Sequence, residues 1–422
     1  MIRGLLLSLL AGSLFAQDLF LDNGSIRIGV DPSRGGSIIW LSTSSADGPG
    51  PNMINSADLG RQIQQSYYAG PQPYGVAHPS WKNWPWNPIG SGDVYGNRSK
   101  ALNISNDGKT LYVETLPMQW ALNNVPCECT FETWVELEGN VARVRSRLNN
   151  KRTDADVGGD RDQELPALYT NGIWHRLFTV SGEITEIRNA GPPWASWHAS
   201  ESWAALVDDN EHGVGIWHPG VHRFIGGFHG KRGSGGPSDS ATGYIAPLHR
   251  DILDNNIRYE YEYRLIVGSL QEIRKYVNER AKTSPPSWTF GADRQHWTSR
   301  NAASQTWPLT DGVWRVDTSV TDDPQLISPP LNLNAEDAPR LYIRAAFTGE
   351  GQGEVFFRPL GAAGFDGRLR AGVGVINDGQ MRTYTVQLAE HPSWDDTIVQ
   401  LRFDPPAKGT AEIRYIGFAA PQ

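Results

Sequence analysis

Cysteine is almost missing from this chain: Cys127 and Cys129 are the only two in 422 residues. A protein with one cysteine pair is not a disulfide scaffold, so an apolar core must hold it. Positions i and i+2 of a strand lie near the upper Cα separation a disulfide allows, which favours two buried thiols over a bridge. Basic tracts are also missing. With 38 Lys and Arg against 46 Asp and Glu, the net charge is −8, and no nucleic-acid partner is expected. Beyond the N-terminus no apolar run approaches the ~20 residues of a membrane span. Helical periodicity is scarce. No GxSxG elbow, GxxxxGK[ST] loop, HExxH pair or dinucleotide fingerprint occurs, which removes support for serine-esterase, NTPase, zincin and nicotinamide readings.

What is present is turn-rich and aromatic: 45 Gly, 28 Pro and 16 Trp. Residues 1–17 join one Arg, an apolar run from Leu5 to Phe15 and a small residue, Ala16. That is the pattern of a cleavable secretory signal, so a secreted or periplasmic protein is expected. The rest reads as all-β. Ser25–Asp31, Thr110–Thr115, Thr130–Leu137, Val141–Leu148 and Ile257–Val267 alternate with a period of two, as in antiparallel sheets with one buried face. One helix is predicted from Leu270 to Arg280, with Ser269 as N-cap and Glu272 in capping-box position. The stretch 283–288 reads as a linker between residues 18–282 and a smaller sandwich over 289–422.

Three clusters could carry chemistry. Between Asn52 and Asn97 the alternation fails, and long loops inside compact domains are usually functional. This stretch holds Asp58, Arg61, Gln62, Gln64, Tyr67, Tyr68, His78, Trp81, Trp84, Trp86 and Asp93. Flat rings stack on the C–H face of a sugar while amides, Arg and carboxylates fix its hydroxyls. The bland alternative is a small core beneath the loop. The second cluster sets Asp160, Asp162 and Glu164 before an apolar run, with His175 and Arg176 following. The two aspartates suit a solvated turn, whereas Glu164 against apolar residues suits acid–base work. The third holds His212, His218, His222 and His229. The i, i+4 pair His218 and His222 would suit zinc on a helix, but Pro219-Gly220 argues against one. A sugar-binding, acid–base or structural role remains for each, and no metal or cofactor is expected.

Ile26-Arg-Ile-Gly-Val-Asp with Arg34-Gly-Gly-Ser-Ile resembles the first strands of galactose-mutarotase-like supersandwich proteins, and Tyr259-Glu-Tyr-Glu-Tyr-Arg-Leu-Ile-Val-Gly resembles their last. Leu326-Ile-Ser-Pro-Pro-Leu and Leu401-Arg-Phe-Asp-Pro resemble the carbohydrate-binding-module-like sandwiches of exported polysaccharide enzymes. The resemblance implies a large antiparallel supersandwich followed by a smaller, jelly-roll-like β-sandwich, and a monomer acting on a polysaccharide or oligosaccharide. The first expectation is a glycoside hydrolase using Glu164 with Asp93 or Asp58. Arg61, Gln62, Gln64, Tyr68, His78, Trp81, Trp84, Trp86, Arg176, His218 and His222 would surround the sugar, with His175 and Tyr67 as further catalytic candidates. A polysaccharide lyase working by β-elimination is the alternative, and a non-catalytic glycan-binding protein the second.

Overall fold

The alternation of the sequence becomes four sheets in the computed structural model, which describes residues 19–421 except 72–73, 155–157, 189–190 and 283. The expected signal segment therefore lies outside the described residues. Every strand pairing among them is antiparallel. The first half of the molecule packs an eleven-stranded sheet on a nine-stranded one. In the larger sheet Ile63–Ser66, Arg161–Asn171, Thr242–Asp251, Arg223–His229 and Ala195–His198 lie side by side in that order. From Ser287 onward two six-stranded sheets form the second sandwich.

Strand Arg258–Ser269 shows why the pattern folds this way. Tyr259, Tyr261, Tyr263 and Leu265 point into the core with Leu148, Leu168 and Ile245, while Glu260 and Glu262 face water. The outward glutamates meet arginines of the neighbouring strand: Arg147 reaches Glu260 at 2.6 Å and Arg143 reaches Glu262 at 3.3 Å. Apolar burial drives the packing, and these exposed pairs add little beyond register. The predicted helix forms over Leu270–Asn278, with the Ser269–Glu272 capping box in place. It lays Leu270, Ile273 and Val277 over the outer side of the smaller sheet, against Phe178, Val180 and Trp203. It is far shorter than a membrane span, and no described helix is long and apolar enough to cross a membrane.

The cysteine expectation is corrected. Cys127 and Cys129 form a disulfide, with Cα atoms 5.0 Å apart. Extended-strand spacing does not apply, because the strand begins only at Cys129 and Cys127 lies before it. The two sandwiches are docked through polar contacts. Arg294 of the second meets buried Asp254 of the first at 2.8 Å, Arg300 meets Asp160 at 2.8 Å, and His296 meets Asp251 at 2.8 Å.

Candidate active site

The strand Arg161–Asn171 contains one residue too many for a regular ladder. Its register with both neighbours slips just after Glu164, at the cis Leu165–Pro166 bond. Gln163, Leu165, Leu168 and Thr170 are buried, with Leu165 and Leu168 in the core between the sheets. The slip therefore changes parity: Asp162 and Glu164 face outward before it, Ala167 and Tyr169 after it. Such bulges re-aim side chains. Here the bulge gathers a carboxylate and a ring on one face.

The loop-rich stretch meets that face through strand Ile63–Ser66, in which Ser66 pairs with Glu164. Beyond it, the buried Gln163 amide grips residue 68, accepting from its N–H at 2.7 Å and donating to its carbonyl at 2.8 Å. That clamp sets Tyr68 near Glu164, and the hydroxyls of Tyr68 and Tyr244 both act to lower the Glu164 pKa. Tyr169 stacks on Tyr244 at 4.7 Å, and Trp194 leans on Tyr244 at 5.2 Å. Trp84 stands edge-on to Tyr68 at 5.6 Å, followed by Trp81 at 4.5 Å from Trp84. A cleft of about 330 Å³ adjoins these groups, lined by Tyr68, Trp84, Pro85, Asp160, Arg161, Asp162 and Arg250.

Electrostatics separate the carboxylates. Burial pushes the Glu164 pKa up to about 6, against the hydrogen bonds of Tyr244 and Tyr68 and with help from the Asp162 charge. Burial, reinforced by the Glu164 charge, also pushes the Tyr68 and Tyr244 hydroxyls well above their usual range, so both stay protonated donors. Asp162 is held by Arg223 at 2.9 Å and Arg250 at 3.3 Å. Burial works to raise Asp160, but hydrogen bonds from Arg300 and Arg250 outweigh it and keep its carboxyl below the usual range. A polarised acid thus stands beside ion-paired aspartates, on a face walled by aromatic rings.

Asp58 is 55% exposed and pairs with Arg61 at 3.0 Å. Burial, then the Glu164 and Asp58 charges, push the Tyr169 hydroxyl far above its usual range, against the Arg61 charge. Other expectations are corrected by burial and bonding. The Asp93 carboxylate is saturated by the N–H groups of Tyr95, Asn97 and Asn124 and the Asn97 amide, all within 2.9 Å. Gln62 and Gln64 spend their amides on the loop, donating to Asp58 and Arg61 carbonyls and accepting from Ser91. Tyr67 and Trp86 lie in the core, where ligand contact is closed to them. His78 caps the turn Pro79–Trp81.

The remaining candidates are dispersed. His175 contacts the Ile173 carbonyl and Asp209, while Arg176 pairs with Glu186 and Glu211. His222 bonds the Ala199 carbonyl and Ser202, and burial lowers its pKa to about 4. His218 is buried against His249 and Tyr261, its pKa lowered to about 3, mainly by burial. Neither joins Glu164. Among the described residues no group of three His, Cys, Asp or Glu is arranged to hold a metal ion. Sequence reasoning missed Tyr169, Tyr244, Trp194, Arg223 and Arg250. Tyr169 shares the Glu164 strand but faces the site only because of the bulge, the others come from distant segments, and only Asp162 on the Glu164 strand hinted at a charged neighbourhood.

No family model matches the chain, and no curated protein matches it. Among solved structures it is similar to the GH36 alpha-galactosidase of Geobacillus stearothermophilus (TM-score 0.37, 12% identity, covering 63% of this chain and 42% of that one). It is also similar to a galactose mutarotase-like protein of Clostridium acetobutylicum (TM-score 0.36, 7% identity, 60% and 95%). A galactose mutarotase related enzyme of Lactobacillus acidophilus gives TM-score 0.35 at 11% identity, covering 59% and 97%. Likenesses of this size leave the reaction to be decided by the chain's own residues.

Proposed function

We propose that this protein is an exported glycoside hydrolase whose catalytic acid is Glu164. The observation that supports this reading is the carboxyl itself. Its pKa is raised to about 6, two protonated tyrosines stand near it, and a cleft lined by Tyr68, Trp84 and ion-paired aspartates lies beside it. A carboxylic acid still protonated near pH 6 can donate to a glycosidic oxygen as that bond breaks. Trp84, Tyr68 and Trp194 offer faces for stacking sugar rings.

The second carboxylate is Asp58. Asp162 is engaged by two guanidiniums and serves to set the field at Glu164, whereas Asp58 meets a single one, Arg61, and its 55% exposed carboxylate is within reach of water. β-Elimination is less well served. Neutralising a uronate needs free positive charge, and Arg250 and Arg223 are already paired with Asp160 and Asp162.

Incubation with a panel of polysaccharides separates the readings. Hydrolysis releases reducing ends without ultraviolet-absorbing products, and the rate falls as pH rises through about 6, where Glu164 loses its proton. Unsaturated, absorbing products would overturn the hydrolase reading in favour of elimination. Binding without any product would favour a glycan-binding protein.

A further inference from the structure

A second cavity of about 400 Å³ lies on the seam between the two sandwiches, apart from the Glu164 cleft. Its size is in the range of small-ligand sites. The first sandwich contributes Arg258 and Glu260, and the second contributes Asp293, Gln295, His296 and Trp307. The second cluster of contributors is held in an unusual backbone. Gln295 and His296 are consecutive non-glycine residues with left-handed φ values of 51° and 62°. Such conformations cost energy and persist only where the surroundings enforce them, often at ligand sites.

The enforcement is visible. His296 donates or accepts through Nδ1 toward Asp251 at 2.8 Å and Tyr259 at 3.3 Å, so its ring is fixed from behind. Its Nε2 has no protein partner among the described residues, and the side chain is 40% exposed. Trp307 is fixed as firmly. Its N–H donates to buried Asp254 at 2.6 Å and its carbonyl accepts from Asn256 at 2.8 Å, while the ring stays partly exposed. Asp254 is itself locked by Arg294. Arg258 is exposed and makes no ion pair among the described residues.

We propose that this seam is a second carbohydrate-binding site, taking a neutral sugar unit stacked on Trp307. The chemistry selects that class. A flat ring offers a stacking platform. Around it stand two open donors, Arg258 and His296 Nε2, and two carboxylates with remaining acceptor capacity, Glu260 beside Arg147 and Asp293 beside the Gln295 amide, as a polyol's hydroxyls require. Positive and negative groups are mixed, so a ligand of one strong charge gains nothing. Because both sandwiches supply contacts, occupancy would also tie them together.

The test uses the full chain carrying Glu164→Gln, titrated with neutral gluco-, xylo-, manno- and galacto-oligosaccharides by calorimetry and tryptophan fluorescence. At least one oligosaccharide is expected to show a binding event weakened roughly tenfold or more by Trp307→Ala and by Arg258→Ala. The same event should survive Trp84→Ala, which removes a ring of the other cleft. Arg258 is exposed and unpaired, so its variant reads the site even if Trp307→Ala fails to fold. Binding untouched by both seam variants overturns the proposal, as does no binding by any member of the panel. Failure of hydrolysis at Glu164 is read separately, from product formation by the unmodified chain, and leaves the seam result standing.

Discussion

Trp297 and Trp314 in the second sandwich are fully buried, the first edge-on to Trp288 at 5.2 Å and the second tilted on Phe290 at 5.2 Å. Trp84 and Trp194, in loops of the first sandwich, remain partly exposed, each against a tyrosine that acts on the Glu164 carboxyl. The same residue type thus does two jobs. In one region it fills volume between sheets, where its whole surface is removed from water and contributes to stability. In the other it keeps a face free, giving up burial for a surface that can stack. Composition alone cannot tell these apart, since both regions are equally rich in rings. Surroundings in the fold can: Trp297 and Trp314 pack among buried rings of the core, whereas Trp84 and Trp194 lie beside Tyr68 and Tyr244 near a carboxyl.

Four substitutions probe this contrast, beginning with the costliest. Trp297→Ala should destabilise by about 3–5 kcal/mol, measured by denaturant unfolding, because a large buried cavity remains. Asp254→Ala should cost a comparable ~3–5 kcal/mol, since it strands the buried Arg294 guanidinium and frees the Trp307 segment. Glu164→Gln should act in the opposite direction. Folding raises the Glu164 pKa from 4.5 to about 6, so the folded state holds the proton more tightly than the unfolded state. Stability from this group is complete below pH 4.5 and is lost as pH rises through about 6. The variant should therefore gain about 2 kcal/mol above pH 6, and that gain should vanish below pH 4.5 in unfolding measurements at both pH values. Trp84→Ala should change stability least, by under ~1 kcal/mol. If instead it destabilises as much as Trp297→Ala, the ring is core and the contrast collapses.

Much of the fold was legible in the sequence because period-two alternation is a local signal. The run ending in strand Arg258–Ser269 and the helix with its Ser269–Glu272 cap both appear where their patterns place them. The carboxyl Glu164 was legible as well, because an acid against an apolar run needs a reason. Its surroundings were not. Tyr244 and Arg223 lie on strands tens of residues away, and their meeting depends on register and on a bulge that reverses the facing of Tyr169. Asp93 misled for a similar reason: only the structure shows that backbone N–H groups already consume its oxygens. Among the tryptophans of the first sandwich, Trp84 lines the cleft, whereas Trp86, Trp174, Trp203 and Trp217 are buried.

The central claim is that Glu164 transfers the proton in glycosidic cleavage, and one comparison tests it most directly. On a polysaccharide that the unmodified protein cleaves, kcat/KM is measured at pH 6 for that protein and for Glu164→Gln, with circular dichroism confirming that both are folded. A loss of about 10²–10⁴-fold is predicted, the usual contribution of a positioned acid. Activity of the variant within about twofold of the unmodified protein would contradict the assignment.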